Sequence, residues 1–359
     1  MSAAASEITR RLPRSGVLLV VGLAVASVGA SVGAVMALAH GTARPIAPSI
    51  GSGIVVIDTN LAFQGAVAAG TGMVLTSSGE VLTNNHVISG ATTIKVVVPK
   101  TGHSYTARVV GYDRTADVAL LQLRGASDLK TVSISPAKLS VGAKVTALGN
   151  VGGDGKITSA TGTVTGLGKS ITASDDTGGS EHLTELIETN AGVKPGDSGG
   201  PLVNSRGQVV GMDTAASSQF VFQDISTTVA YAIPIAKART IADAISSGQA
   251  SPKVHIGATA FLGVEAGSAD VPGLGNGGQV ASSSGALIVG VVSGGPAASA
   301  GLAAGDVITA INGRAISSPT EISAFVLTKK PAEKITVAYV DQSGTSHTAS
   351  VVLGSGPAQ

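Results

Sequence analysis

From residue 53 to 233 the chain is a succession of short apolar runs, each cut off by glycine, asparagine, aspartate or serine. Gly72-Met73-Val74-Leu75, Thr93-Ile94-Lys95-Val96-Val97-Val98, Val118-Ala119-Leu120-Leu121-Gln122-Leu123, Lys144-Val145-Thr146-Ala147-Leu148-Gly149 and Gln208-Val209-Val210-Gly211-Met212 are examples. Runs this short suit strands and are too brief for amphipathic helices. Many of them, with turn signals between, predict a mostly β barrel or sandwich. Aromatic residues make up only 3% of the 359 and tryptophan is absent, so the core has to be built from Val, Ala, Leu and Ile. The chain contains no cysteine, which excludes disulfides, thiolate metal sites and cysteine nucleophiles together. A net charge of +1 implies no nucleic-acid partner.

The ends of the chain read differently. Arg10, Arg11 and Arg14 lie in a basic stub, residues 1–14, and are followed by an uncharged apolar stretch over 15–39. That length suits a membrane-crossing helix, and the arginines place the stub in the cytoplasm and the rest outside. Length favours a retained anchor, while Ala37-Leu38-Ala39 fits the cleavage site of an export signal. A Pro/Gly/Ser-rich linker covers 40–52, and the β-rich domain runs over 53–250. One helix closes that domain. Pro234 opens it, Gly248 ends it, and Ile235, Ala238, Ile241, Ala242 and Ile245 share a face. Residues 251–359 form a second, smaller α/β unit, with strands near 286–292, 307–311 and 334–340 and helices near 296–300 and 319–327.

Gly196-Asp197-Ser198-Gly199-Gly200-Pro201-Leu202 carries the chemistry. Small residues around one serine permit a tight turn, close approach of a carbonyl, and backbone N–H donors for an oxyanion. A serine hydroxyl needs a base, and the base needs an acid that fixes its tautomer. His40 lies beside the apolar stretch. His103, His182, His255 and His347 sit in polar or glycine-rich surroundings with no acid placed to orient them, and read as surface residues. His86 instead follows an apolar strand in Val81-Leu82-Thr83-Asn84-Asn85-His86-Val87-Ile88. Asp117 leads another, a position costly to bury without a partner. Asp113, beside Arg114, reads as a surface or ion-pair residue. The order His86, Asp117, Ser198 argues against an α/β-hydrolase, in which the serine precedes acid and histidine.

Three segments now carry a resemblance: Thr83-Asn84-Asn85-His86-Val87-Ile88, Asp113-Arg114-Thr115-Ala116-Asp117-Val118-Ala119-Leu120-Leu121 and the glycine-rich serine loop. They resemble the catalytic segments of HtrA/Deg-family trypsin-like serine proteases, in order and over nearly everything after residue 52. The resemblance implies a chymotrypsin-like double six-stranded β-barrel, one following PDZ domain, and a location outside the cytoplasm. It implies that Ser198 attacks the scissile carbonyl, that His86 is base and then acid, that Asp117 orients His86, and that Gly196 and Ser198 N–H groups form the oxyanion hole. It places Gly192 and Val193 at the base of the specificity pocket and Thr214 and Ala215 on its opposite wall, favouring a small or medium apolar P1 residue. Asp213 would point away from that pocket. Many relatives carry Asn where this chain has Asp197, and no zymogen cleavage site occurs here, so Asp197 is left to find another donor or stay solvated.

Phe261-Leu262-Gly263-Val264 resembles the carboxylate-binding loop of a PDZ domain, and 301–313 resembles its central segment. That resemblance implies binding of C-terminal or exposed apolar peptides by strand addition. The expected partners are protein substrates, such peptides, and the membrane through 15–39. Relatives often trimerise through N-terminal aromatics that are scarce here, which leaves the homo-oligomer open. No cofactor is called for, since neither a metal site nor a phosphate loop is visible.

Overall fold

The computed structural model describes residues 51–174, 180–214, 229–268 and 285–359. The apolar stretch 15–39, its cleavage site and Ala215 lie outside them. No helix among the described residues is long and apolar enough to cross a membrane.

The first barrel is built from β1 (Ile54–Leu61), β2 (Ala66–Val74), β3 (Glu80–Thr83), the single-turn helix α1 (Asn85–Ile88), β4 (Thr93–Val97), β5 (Ser104–Asp113) and β6 (Val118–Leu123). Its strands run β5-β4-β1-β2-β3-β6, and pairing of β5 with β6 closes the circle. A closed sheet leaves no edge exposed, which suits a chain with so many short strands. β5 bends to do this. Ser104–Ala107 pair with β4, and from Ala107 onward the strand pairs with β6, with a register shift at Val109/Gly111.

The second barrel contains β7 (Lys144–Gly149), β8 (Thr158–Ser174), β9 (Ser180–Thr189), β10 (Pro201–Asn204), β11 (Val209–Asp213) and β12 (Ala230–Pro234), closed in the order β10-β11-β12-β9-β8-β7. Helix α2 (Ile235–Ser246) follows, with Pro234 as its N-cap residue. Its buried face is Ile235, Ala238, Ala242 and Ile245, and Ile241 is half-buried beside it. These side chains join one core cluster with Met73, Leu82, Val118 and Leu120 of the first barrel and Leu148, Leu186, Met212 and Ile233 of the second. The helix therefore seals the seam between the barrels, each buried isoleucine stabilising it by roughly 1.5–3 kcal/mol.

The chain then returns to the first barrel. β13 (Val254–Ile256), beyond residue 250, pairs with β5 from Gly111 to Asp113. Gly111 is required there, because a β-carbon would collide with the His255 carbonyl oxygen.

The C-terminal unit comprises β14 (Thr259–Phe261), β15 (Val264–Ser268), β16 (Ala286–Val291), α3 (Pro296–Ser299), β17 (Val307–Ile311), β18 (Arg314–Ala315), α4 (Pro319–Leu327), β19 (Lys334–Val340), β20 (Ser346–Val352) and β21 (Gly354–Gly356). Its sheet runs β15-β16-β17-β19-β20, with β18 on β17 and β14–β21 as a separate pair. It has its own core, formed by Leu262, Ile288, Leu302, Ile311, Ile322, Val337 and Val351 among others.

Candidate active site

The glycine-rich loop between β9 and β10 is stitched to three other elements. Asp197 N–H donates to Lys194 O at 2.9 Å and Gly200 N–H to Asp197 O at 2.8 Å, which closes the turn on itself. Thr71 N–H of β2 donates to Ser198 O at 2.9 Å, and Gly199 N–H donates to Asp213 O of β11 at 2.8 Å. Gly152 N–H donates to Pro195 O at 3.0 Å. Gly196 and Gly199 adopt φ of 99° and 81°, left-handed values that side chains rarely accept. A β-carbon on Gly199 would also run into Thr71 O and the Thr83 hydroxyl. Ser198 is thus carried, buried, on a turn whose shape its glycines make accessible.

His86 sits on α1, immediately after β3, with about a third of its side chain exposed. Asp117 is 1% exposed and meets it twice. His86 N–H donates to Asp117 Oδ1 at 3.0 Å, and His86 Nδ1 lies 2.9 Å from Oδ2. Thr214 Oγ1 donates to the same Oδ2 at 2.9 Å, and Asn84 Nδ2 donates to the Asp117 backbone carbonyl at 2.9 Å. These contacts fix the orientation of the Asp117 carboxylate. It places the imidazole proton on Nδ1 and leaves Nε2 as the basic nitrogen.

Asp117 holds a left-handed backbone, φ 53°, at the end of a 3-10 turn over Arg114–Ala116. Asp113 makes that turn. Its Oδ1 accepts from Thr115 N–H at 2.9 Å, Ala116 N–H at 3.1 Å and the Thr115 hydroxyl at 2.8 Å. The expectation of a surface or ion-paired Asp113 is therefore corrected: it is buried, because capping three donors compensates for its lost hydration.

Further expectations change in detail. Asp197 is not solvated; it is 3% exposed, and its Oδ2 accepts from Lys194 N–H at 2.9 Å. Asp213 is fully buried beside it. Thr214, expected on the pocket wall, turns its hydroxyl to Asp117. His347, read as having no acid to orient it, lies 2.7 Å from Asp341 Oδ2, both near the surface. His255 is half-buried, stacked on Tyr112 at 4.9 Å, and burial holds its pKa down. Gly192 and Val193 are half-buried, Val193 against the second barrel's core.

Thr71 was not anticipated from sequence. Its hydroxyl donates to Gly196 O at 2.7 Å and accepts from Asn150 N–H at 2.9 Å. One side chain of the first barrel therefore pins the serine loop and the end of β7 in the second. Nothing in Gly70-Thr71-Gly72 signals this, because the contact exists only once two barrels face each other.

A cleft of about 620 Å³ opens beside the loop, between Asp58–Asn60 of β1, Val67–Ala69 of β2, and Gly152, Gly153, Pro195 and Gly196. The Gly196 N–H meets no acceptor among the described residues. In the C-terminal unit, Val264 begins edge strand β15 and Gly263 has φ 80°. Leu262 is buried, and the Phe261 ring stacks on Phe63 of the first barrel at 5.1 Å.

Two closed barrels that carry a glycine-rich serine loop and an acid-backed histidine, with an α/β unit appended, define a trypsin-like peptidase fold followed by a PDZ domain. Residues 70–212 match the trypsin-like peptidase domain family, and 287–339 match the PDZ domain family. The chain is 33% identical over 329 residues to serine protease PepD of Mycobacterium tuberculosis, covering 88% of this chain and 66% of that one. It is 34% identical over 269 residues to the periplasmic pH-dependent serine endoprotease DegQ of Escherichia coli, covering 74% and 55%. A solved structure of the HtrA-type protease AlgW with tripeptide aligns at 26% identity and TM-score 0.46, over 85% of this chain and 94% of that one. The chain belongs to the HtrA/Deg family of serine proteases. It spans between half and two thirds of the length of these curated relatives.

Proposed function

We propose that this chain is a serine endopeptidase that cleaves exported or misfolded envelope proteins outside the cytoplasm. Ser198 Oγ attacks the scissile carbonyl while His86 Nε2 takes its proton. The negative charge on the tetrahedral oxygen is met by the Gly196 and Ser198 N–H groups. His86 then protonates the leaving amine, and water repeats the sequence on the acyl-enzyme. Asp117 holds His86 in the required tautomer and stabilises the imidazolium. The observation that carries this reading is the paired grip of Asp117 on both His86 N–H groups, reinforced by Thr214. A scaffold would need none of it.

Gly192 and Val193 support an apolar pocket for a small or medium P1 residue. The PDZ domain binds C-terminal or exposed apolar peptides along β15, with the 261–264 loop receiving the carboxylate. Residues 15–39 attach the protein to the membrane or direct its export. The periplasmic setting in DegQ's name supports this location.

A fluorophosphonate probe tests the activity. Labelling of the wild type, lost in Ser198→Ala, is the expected result. A folded wild type that resists labelling would favour a peptide-binding chaperone on the same fold. A peptide library reads the pocket, and a preference for Arg or Lys at P1 would overturn it.

A further inference from the structure

Beneath the serine loop lie two carboxylates with no cation buried beside them among the described residues. Asp213 ends β11 fully buried, and neither of its carboxylate oxygens has a hydrogen-bond donor among the described residues. The Leu148 amide faces it without completing a hydrogen bond. Asp197 uses Oδ2 on Lys194 N–H, and its Oδ1 has no donor. The backbones interlock: Gly199 N–H donates to Asp213 O, Asp213 N–H to Gly200 O, and Gly200 N–H to Asp197 O, each at 2.8 Å. Gly149 leaves room for Asp197, since a β-carbon there would strike its Oδ1.

Among the described residues the surroundings supply no neutralising charge. Lys194 is the cation facing Asp197, but its side chain is exposed. On β7 the one charge is Lys144, exposed at the opposite end of the strand. Strand β10 and the rest of β11 have none, and Tyr231 on β12 senses Glu188 of β9. The Thr71 hydroxyl is engaged by Gly196 and Asn150, and Thr214 is turned to Asp117. Burial pushes Asp197 up to about 6 and Asp213 well above the usual carboxylate range, the latter also by the neighbouring charge of Asp197. Two ionised carboxylates buried side by side repel each other without compensation, whereas one proton between them gives an orphaned oxygen its donor.

We propose that Asp197 and Asp213 share a single proton at neutral pH and that this acid–carboxylate pair positions the serine loop. They are positioning residues: they touch no substrate and act through the backbone of 196–200. Loss of the shared proton places two like charges under the proposed oxyanion site and displaces it. The rate then falls on the alkaline side, separately from the acid-side fall set by His86, and the pair titrates as a unit. This rests on the reading of Ser198 as nucleophile.

The test uses the full chain and two amide variants, Asp213→Asn and Asp197→Asn, whose N–H groups replace the shared proton permanently. For the wild type, kcat/KM should fall on the order of tenfold between roughly pH 7 and pH 9.5, with KM changing less than kcat. In Asp213→Asn the same ratio should shrink to about twofold or less, with the acid limb unmoved. Infrared difference spectra should lose a protonated-carboxyl band in the same variant. An alkaline limb unchanged in both variants would overturn the pair. So would a limb abolished by replacing sodium with choline at fixed ionic strength, which would place a bound cation between the carboxylates. In a Ser198→Ala background, Asp213→Asn should still raise the melting temperature more at alkaline than at acid pH. A wild type that fails to label while this stability difference persists would remove the protease reading and keep the shared proton.

Discussion

Asp117 combines burial, a left-handed backbone and acceptance of several hydrogen bonds, and each of these makes the others tolerable. The strained φ costs on the order of 1–3 kcal/mol, and the donors from His86 and Thr214 offset it. Asp117→Asn should lower kcat by about four orders of magnitude while the fold survives, because the amide favours the wrong imidazole tautomer. Thr214→Val should lower kcat roughly tenfold or more by removing one donor to a buried charge, with little change in KM. The rate should also fall on the acid side, where His86 gains a proton at Nε2 and loses its role as base. A pH–rate profile on a peptide substrate checks this, and an acid optimum would contradict it. Folding stability responds in the opposite sense to the buried pair. The folded-state values of Asp197 and Asp213 lie above their unfolded ones, so the folded state holds extra protons. The stability linked to them is full below about pH 4 and declines as pH rises through about 6 for Asp197 and higher for Asp213. Urea unfolding of the wild type and Asp213→Asn at several pH values would read that slope directly.

At the level of elements, local sequence was legible where local physics decides the outcome. Helix α2 was readable from its proline, its glycine and the period of Ile235, Ala238, Ala242 and Ile245. Helix α4 and strands β17 and β19 fall where their patterns place them. Asp113 was misread because its capping role depends on a 3-10 turn only three residues long, which leaves no periodicity to detect. The serine loop was recognisable as a string, yet its rigidity comes from elsewhere: Thr71 of β2 and Asp213 of β11 bond it directly, and the Thr83 hydroxyl of β3 donates to the Thr71 carbonyl behind it. Gly199→Ala should therefore do more than remove flexibility. It combines a left-handed φ with a collision against Thr71 and Thr83, and should destabilise by roughly 2 kcal/mol or more. Loss of probe labelling with a lowered urea midpoint is the expected reading.

On the scale of the whole molecule, the protease and PDZ units are knitted together by parts that sequence assigns to only one of them. β13 adds to β5 of the closed first barrel from beyond the domain's expected end. Ala358 is buried in the first barrel's core, its carbonyl accepting from Gly90 N–H at 2.8 Å, just past the helix that carries His86. Tyr112 OH lies 3.2 Å from Thr259 Oγ1, and Phe63 stacks on Phe261 next to the proposed carboxylate loop. A double-mutant cycle on Phe63→Ala and Phe261→Ala should give a coupling of about 0.5–1.5 kcal/mol in thermal unfolding. Coupling near zero would mean the rings do not hold the units together in solution. The sequence by itself determined the β-rich class, the two-unit order and the residues proposed to bear the chemistry, because short-range pattern and motif order encode these. Only the tertiary structure decided that Thr71 clamps the serine loop, that Thr214 serves Asp117, and that Asp213 lies beneath Asp197. Burial and hydrogen-bond partnership are properties of chains brought together by barrel closure, and no local pattern specifies them.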